Sequence, residues 1–201
     1  VTGGPGVGRS RLVQELAAEA QRTGYLVISG ECRPEDGRPF AYLRSALDGF
    51  LVTLETGDPD TRTAVLAHVA VAVGDNPAPV ARLGPGIARA MAQAGIPIVP
   101  EGETGPGDDP RSEERWLDSV VRFVERLLDY PGGGLLVVDD VHRADAETRR
   151  VLQRLAAGAA TTRRLIVVTT REAEPALTEE LAPELRLPVT ELLPGEVAPL
   201  V

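Results

Sequence analysis

Lysine is absent from this chain: all 21 basic residues among its 201 are arginine. Any site that needs a cation must therefore use a planar guanidinium in place of a compact ammonium. Cysteine occurs once, at Cys32, which excludes an internal disulfide and fits a reducing, cytoplasmic setting. One thiol with two histidines, His68 and His142, is too small a donor set for an ordinary zinc site. Aromatic residues make up only 3% of the chain, and no apolar run approaches the roughly 18 residues of a membrane span. Base is also in deficit: the net charge is -9, which argues against direct nucleic-acid contact by this segment. What remains, 43% hydrophobic and 25% charged residues, suits a soluble globular protein with one α/β core rather than two independent domains.

Glycine and proline, by contrast, are abundant, and near the start they are ordered. Gly3-Gly4-Pro5-Gly6-Val7-Gly8-Arg9-Ser10 follows the pattern G-x-x-x-x-G-K-[S/T] of a P-loop except that Arg9 stands at the lysine position. Glycine is required there because backbone N–H groups curl around phosphate oxygens at dihedrals and distances a side chain would block. Ser10 offers a hydroxyl to Mg²⁺ and opens a helix whose N-terminus favours an anion. The nucleotide-binding set read from this segment is Gly3, Gly4, Pro5, Gly6, Val7, Gly8, Arg9, Ser10 and Arg11, with ATP and Mg²⁺ as cofactors. Arg9 keeps the charge but changes its shape, so binding survives while turnover falls. Drift in an arginine-rich composition and selection for a non-hydrolysing site both account for it.

Only Val1 and Thr2 precede the loop, where a buried strand is expected, and Pro194-Gly195-Glu196-Val197 begins a further helix near Val201. The expectation is a segment of a longer protein, residues 1–201 forming a single P-loop domain. Leu12, Val13, Leu16, Ala17 and Ala20 recur at helical spacing, predicting an amphipathic helix over 9–22 that ends near Gly24. A strand follows at Tyr25 to Ser29, then a helix over 41–55 and another capped by Asp60 with Val65, Leu66, Val69 and Val73 on one face. These helices belong to an insertion over 39–130. Within it, residues 95–110 are too rich in Gly, Pro and acid for regular structure and read as a mobile connector, with a lid as the alternative. From Ser112 to Asp129 a long helix carries Trp116, Leu117, Val120, Val121, Val124, Leu127 and Leu128 on one stripe, stopped by Pro131-Gly132-Gly133-Gly134. Strands at Leu135 to Asp139 and Leu165 to Thr170 flank a helix capped by Asp145 with Val151, Leu152, Leu155 and Ala156 inward. That alternation implies parallel strands with right-handed crossovers.

Leu135-Leu136-Val137-Val138-Asp139-Asp140 is an apolar strand ending in two carboxylates, as in a Walker B segment. Asp139 then holds Mg²⁺, while Asp140 orients and deprotonates an attacking water; the competing reading is a solvated turn. Thr170 and Arg171, ending the later strand, suit the sensing of a γ-phosphate, against a surface arginine at a strand end. The catalytic candidates are thus Asp140 and Arg171, and the metal-binding ones Ser10 and Asp139. His142 either relays the nucleotide state or satisfies a backbone carbonyl. Arg149, Arg150 and Arg154 read as a solvated helix face rather than an arginine finger.

Gly3 to Leu12, Pro39-Phe40-Ala41-Tyr42-Leu43, Leu135 to Asp145 and Arg164 to Arg171 together resemble the AAA-like ATPase domain of large LuxR-type transcriptional regulators and related STAND ATPases. Leu192 to Val197 resembles that family's passage into its next helical subdomain. The resemblance implies an additional-strand P-loop core with the Walker B and sensor strands beside the P-loop strand. It further implies a nucleotide-gated switch that self-associates with ATP bound, other domains of the same chain as partners, and DNA binding elsewhere in the full protein. Arg9 departs from the family lysine, and Arg143 from the tryptophan that usually follows the histidine. A nucleotide-free pseudo-ATPase scaffold and a small-molecule phosphotransferase are the alternative functions; no separate acceptor-binding motif is present for the latter.

Overall fold

The computed structural model describes residues 1–32, 39–97, 110–159, 162–171 and 175–191. Among these residues five strands, β1 (Thr2–Gly3), β2 (Leu26–Glu31), β3 (Gly134–Asp139), β4 (Arg164–Val168) and β5 (Pro188–Val189), run parallel in the spatial order β2-β3-β4-β1-β5. The join between β4 and β1 is short: a bridge between Thr2 and Thr170, with Thr170 N–H donating to Val1 O at 3.0 Å and Val1 N to Val168 O at 2.7 Å. This is the α/β P-loop architecture expected from the alternation of elements. One detail differs: of the Walker B and sensor strands, the sensor strand β4 alone lies beside the P-loop strand, and β3, the Walker B strand, is one place further out.

Side-chain alternation along the central strands sends Val27, Leu135 and Val137 to one face and Leu26, Ile28, Leu136 and Val138 to the other. Both faces are covered, as a parallel sheet requires. The first is covered by α1 (Arg9–Arg22), the second by α2 (Ala41–Thr56), α3 (Pro59–Val73), α4 (Pro77–Ala81), α5 (Pro85–Gln93), α6 (Pro110–Leu128) and α7 (Ala146–Ala159). Among the described residues the final helix, α8 (Pro175–Leu181), packs on α7. The expected stripe of α6 is buried in full, and Trp116 meets Phe40 edge to face at 4.7 Å while its indole N–H donates to Pro79 O at 3.0 Å.

Three expectations need correction. The cap of α3 is Asp58, whose carboxylate accepts from Thr61 N–H at 2.8 Å; Asp60 lies inside the first turn, because Pro59 occupies N1 and moves the helix start upstream. Leu12 and Leu16 are exposed at 42% and 37%, leaving Val13 as the buried residue of α1. Their stripe is wider than the surface α1 covers, and Leu16 lines an open apolar trough of about 370 Å³ shared with Leu165, Leu181 and Leu187. The strand expected at Leu165 to Thr170 runs instead over Arg164–Val168, with Thr170 retained only as a bridge to Thr2.

Arg150 pairs with Glu113 at 3.2 Å and with Glu114, and Arg154 with Glu114 and Asp118, so these two arginines strap α7 to α6. No helix among the described residues is long and apolar enough to cross a membrane. Most of the loop expected over 95–110, and the helix start expected at 194–197, lie outside the described residues.

Candidate functional site

The strand register brings four chain segments to the carboxyl edge of the sheet. Pairing of Glu31 with Asp139, and of Val138 with Val168, sets the end of β3 between Cys32 and Thr169. The Thr2–Thr170 bridge then puts the loop after β1 on the same edge. Parallel sheets bind ligands beyond these strand ends.

In the loop, three glycines are needed for two different reasons. Gly6 and Gly8 have φ of 81° and 98°, a region that residues with a Cβ disfavour, and a Cβ at either would have no protein atom within 4 Å. Their constraint is backbone shape with an open side. Gly3 is held by the sheet instead: a Cβ there would strike the Val189 carbonyl of β5. Gly4, Pro5 and Val7 complete the turn without positive φ. Gly8 then serves as N-cap of α1, with no side-chain cap and no acidic residue in the first turn. The first N–H groups of a helix have no intrahelical partner, so this end presents donors and a positive dipole to an anion. Ser10 is exposed beside them, whereas Arg11 leans along the helix to pair with Glu15 at 2.5 Å.

Across the edge, Asp139 accepts a hydrogen bond from the Thr169 hydroxyl, and the same hydroxyl oxygen accepts from Asp140 N–H at 2.9 Å. Thr169 is fully buried, and its main chain adds Val141 N–H to Thr169 O at 2.9 Å. Sequence reading singled out Thr170 and missed this role of Thr169. The register was the available signal, since pairing Val138 with Val168 puts Thr169 level with Asp139. Held this way, Asp140 adopts φ 54°, an unusual conformation for a residue with a Cβ, and turns the chain into a 3-10 turn over Val141–Arg143.

Arg9 crosses from the loop to this edge. One terminal nitrogen donates to Thr170 O, and the other lies 3.6 Å from Asp140 Oδ1, with the two side chains 10% and 20% exposed. His142 Nδ1 is 3.9 Å from the same carboxylate oxygen. Arg149 donates to His142 O at 2.9 Å, so it is engaged with the turn rather than solvated as expected. Thr170 is 4% exposed and its hydroxyl has no hydrogen-bond partner in the structure. Arg171, the next residue, is exposed, as is Arg143 at the family's tryptophan position.

The edge is rich in negative charge. Burial first, then the Asp145, Asp140 and Asp139 carboxylates, push the Cys32 thiol up to about 12. Tyr42 is raised well above its usual range by burial, then by Cys32 and Asp139, and its hydroxyl donates to Val137 O at 2.5 Å. Asp145 anchors the turn from below: it accepts from Thr148 N–H at 2.8 Å, Thr148 Oγ1 at 2.7 Å and Phe40 N–H at 3.2 Å. The arrangement suits a phosphate-bearing ligand with a divalent cation: amide donors around an open-sided glycine loop, a neighbouring hydroxyl, and carboxylates on the facing strand.

A family model described as an AAA ATPase domain matches residues 1–168. Neither the comparison with curated proteins nor that with solved structures gave a match. The glycine loop feeding α1, the carboxylates ending β3 and the parallel order of the sheet all lie within the matched residues, and on that match the chain belongs to the AAA ATPase domain family, whose members are nucleotide-binding modules.

Proposed function

We propose that this chain is the ATP-binding switch module of a multidomain bacterial regulator of the LuxR-type, STAND class, in which ATP hydrolysis is slow or absent. The regulator context is supported by the order of the motifs from Gly3 to Arg171, and the impaired hydrolysis by the direction Arg9 takes. Backbone amides from Gly3 to Ser10 hold the phosphates, with Pro5, Val7 and Arg11 lining the loop. Ser10 and Asp139 hold Mg²⁺, which when bound neutralises charge on the phosphate oxygens. Asp140 accepts the proton of the attacking water, and Thr170 and Arg171 respond to the terminal phosphate. The output passes to other domains of the same chain and to ATP-dependent self-association.

One observation carries the reading of slow turnover: the cation at the lysine position is turned to Thr170 O and Asp140. Phosphoryl transfer depends on positioning and charge neutralisation. A displacement that removes about 3 kcal/mol of transition-state stabilisation slows the step by roughly two orders of magnitude. Phosphate release measured for the natural protein and for Arg9→Lys tests this. The expected result is slow release that lysine raises at least about tenfold. Rapid hydrolysis by the natural sequence, unimproved by lysine, overturns it.

The same ion pair also favours a second reading, a nucleotide-free scaffold in which Arg9 and Asp140 satisfy one another permanently. A ligand that binds the folded state must stabilise it, by about 2.7 kcal/mol at a hundred times Kd. The absence of any thermal shift with ATP and Mg²⁺ selects the scaffold.

A further inference from the structure

Resting on the nucleotide-binding reading, we propose that Arg9 is a partner-exchanging guanidinium: it holds Asp140 and the Thr170 carbonyl in the nucleotide-free domain and leaves Asp140 when phosphates bind. Arg9 joins three segments at the site edge. It starts α1, directly after the glycine loop, and reaches the end of β4 through Thr170 O and the end of β3 through Asp140. The side chains are largely shielded from water, where leaving one charge without its partner costs more than on an open surface. Asp140 itself sits in an unfavourable conformation, at φ 54°, held at its N–H by Thr169 Oγ1 and at its carbonyl by Arg143 N–H at 2.9 Å.

A lysine at this position would present all its donors from one compact nitrogen. The planar arginine fork spans the separated Thr170 O and Asp140 acceptors with its two terminal nitrogens, and both contacts must be given up to release it. The incoming phosphates compete for the same cation, and their gain from Arg9 is offset by the loss of the Asp140 pair. Once free, the Asp140 carboxylate has His142 Nδ1 as a neighbour at 3.9 Å, in the middle of the 3-10 turn, where the His142 carbonyl accepts from Arg149 of α7. Nucleotide binding is in this way joined to the position of Asp140 and the turn that follows it.

The test is a double-mutant cycle read twice. Calorimetric ATP affinity in Mg²⁺ is measured for the natural protein, Arg9→Met, Asp140→Asn and the double variant, and urea melts of all four are recorded without nucleotide and at saturation. Partner exchange predicts that Asp140→Asn tightens ATP about tenfold more when Arg9 is present than in the Arg9→Met background. It also predicts non-additive melts without nucleotide that become additive once nucleotide is bound. Equal tightening in both backgrounds means that Asp140 acts by repulsion alone, and overturns the proposal while leaving nucleotide binding intact. Coupling that persists at saturation overturns it as well, since the pair then never opens. If none of the four proteins binds ATP, the nucleotide-binding reading falls and the exchange with it. Because Asp140→Asn keeps shape and removes only charge, it separates this effect from misfolding, and the melts identify any variant that does not fold.

Discussion

Replacing Asp145 by alanine removes one carboxylate that serves two distant parts of the chain. On its own helix it caps α7 through Thr148 N–H and Thr148 Oγ1; across the core it accepts from Phe40 N–H, 105 residues away. Loss of an N-cap of this kind costs about 1 kcal/mol. The Thr148 hydroxyl and the Phe40 N–H are then stranded in the interior, since both residues are at most 1% exposed, and each unsatisfied group costs about 1–3 kcal/mol. Phe40 has a further stake, because at φ 59° it sits in a region unfavourable to a side chain and its ring is set against Trp116. These contributions share partners and do not add in full, so we expect a loss of about 3 kcal/mol, or roughly 6–12 °C in Tm for a chain of this size. Against a total of about 5–15 kcal/mol this is a severe loss. Urea denaturation followed by far-UV dichroism and by Trp116 fluorescence measures it, with Asp145→Asn as control. Asparagine keeps an acceptor for the two N–H groups and should lose under about 1 kcal/mol. An alanine variant within about 1 kcal/mol of the parent would refute the shared-anchor argument.

Three other outcomes follow from particular contacts. Gly3→Ala should lower stability by about 1–3 kcal/mol in thermal melts because its Cβ strikes the Val189 carbonyl, while Gly4→Ala, with 3.7 Å of ordinary contact to Val7, should leave Tm unchanged. Cys32 should resist iodoacetamide in the folded state and take a single label in urea. Its pKa is raised on folding, so the unfolded chain gives up the proton first, and stability should fall as pH rises from the usual value of 9.0 towards about 12; Cys32→Ala flattens that decline. Arg154→Ala breaks half-exposed pairs with Glu114 and Asp118 and should move Tm by under about 2 °C with no change in phosphate release, as a strap rather than a finger.

Much of this was legible in the chain because the signals were local. The α6 stripe repeats over 19 residues, β3 is an unbroken apolar run, and the glycine loop has a fixed spacing. What escaped was non-local or too short to carry a period. Strand β5 is two residues, Pro188 and Val189, and owes its existence to pairing with Thr2 and Gly3. Thr169 matters through a hydroxyl that bridges Asp139 and Asp140, a fact of strand register rather than residue type. Arg9 meets Thr170 across 161 residues, and no pattern around Gly8 and Ser10 announces which acceptor it will choose. Leu12 and Leu16 misled because helical periodicity shows which residues share a face, not how much of that face a neighbour covers.

Calorimetric titration of the protein with ATP in Mg²⁺ tests the central claim most directly. Binding through the amides of Gly3 to Ser10 predicts saturable heat with one nucleotide per chain, retained in Arg9→Met and abolished when Gly8 is replaced by valine in a variant that still melts cooperatively. No saturable heat with ATP, ADP or GTP would contradict it.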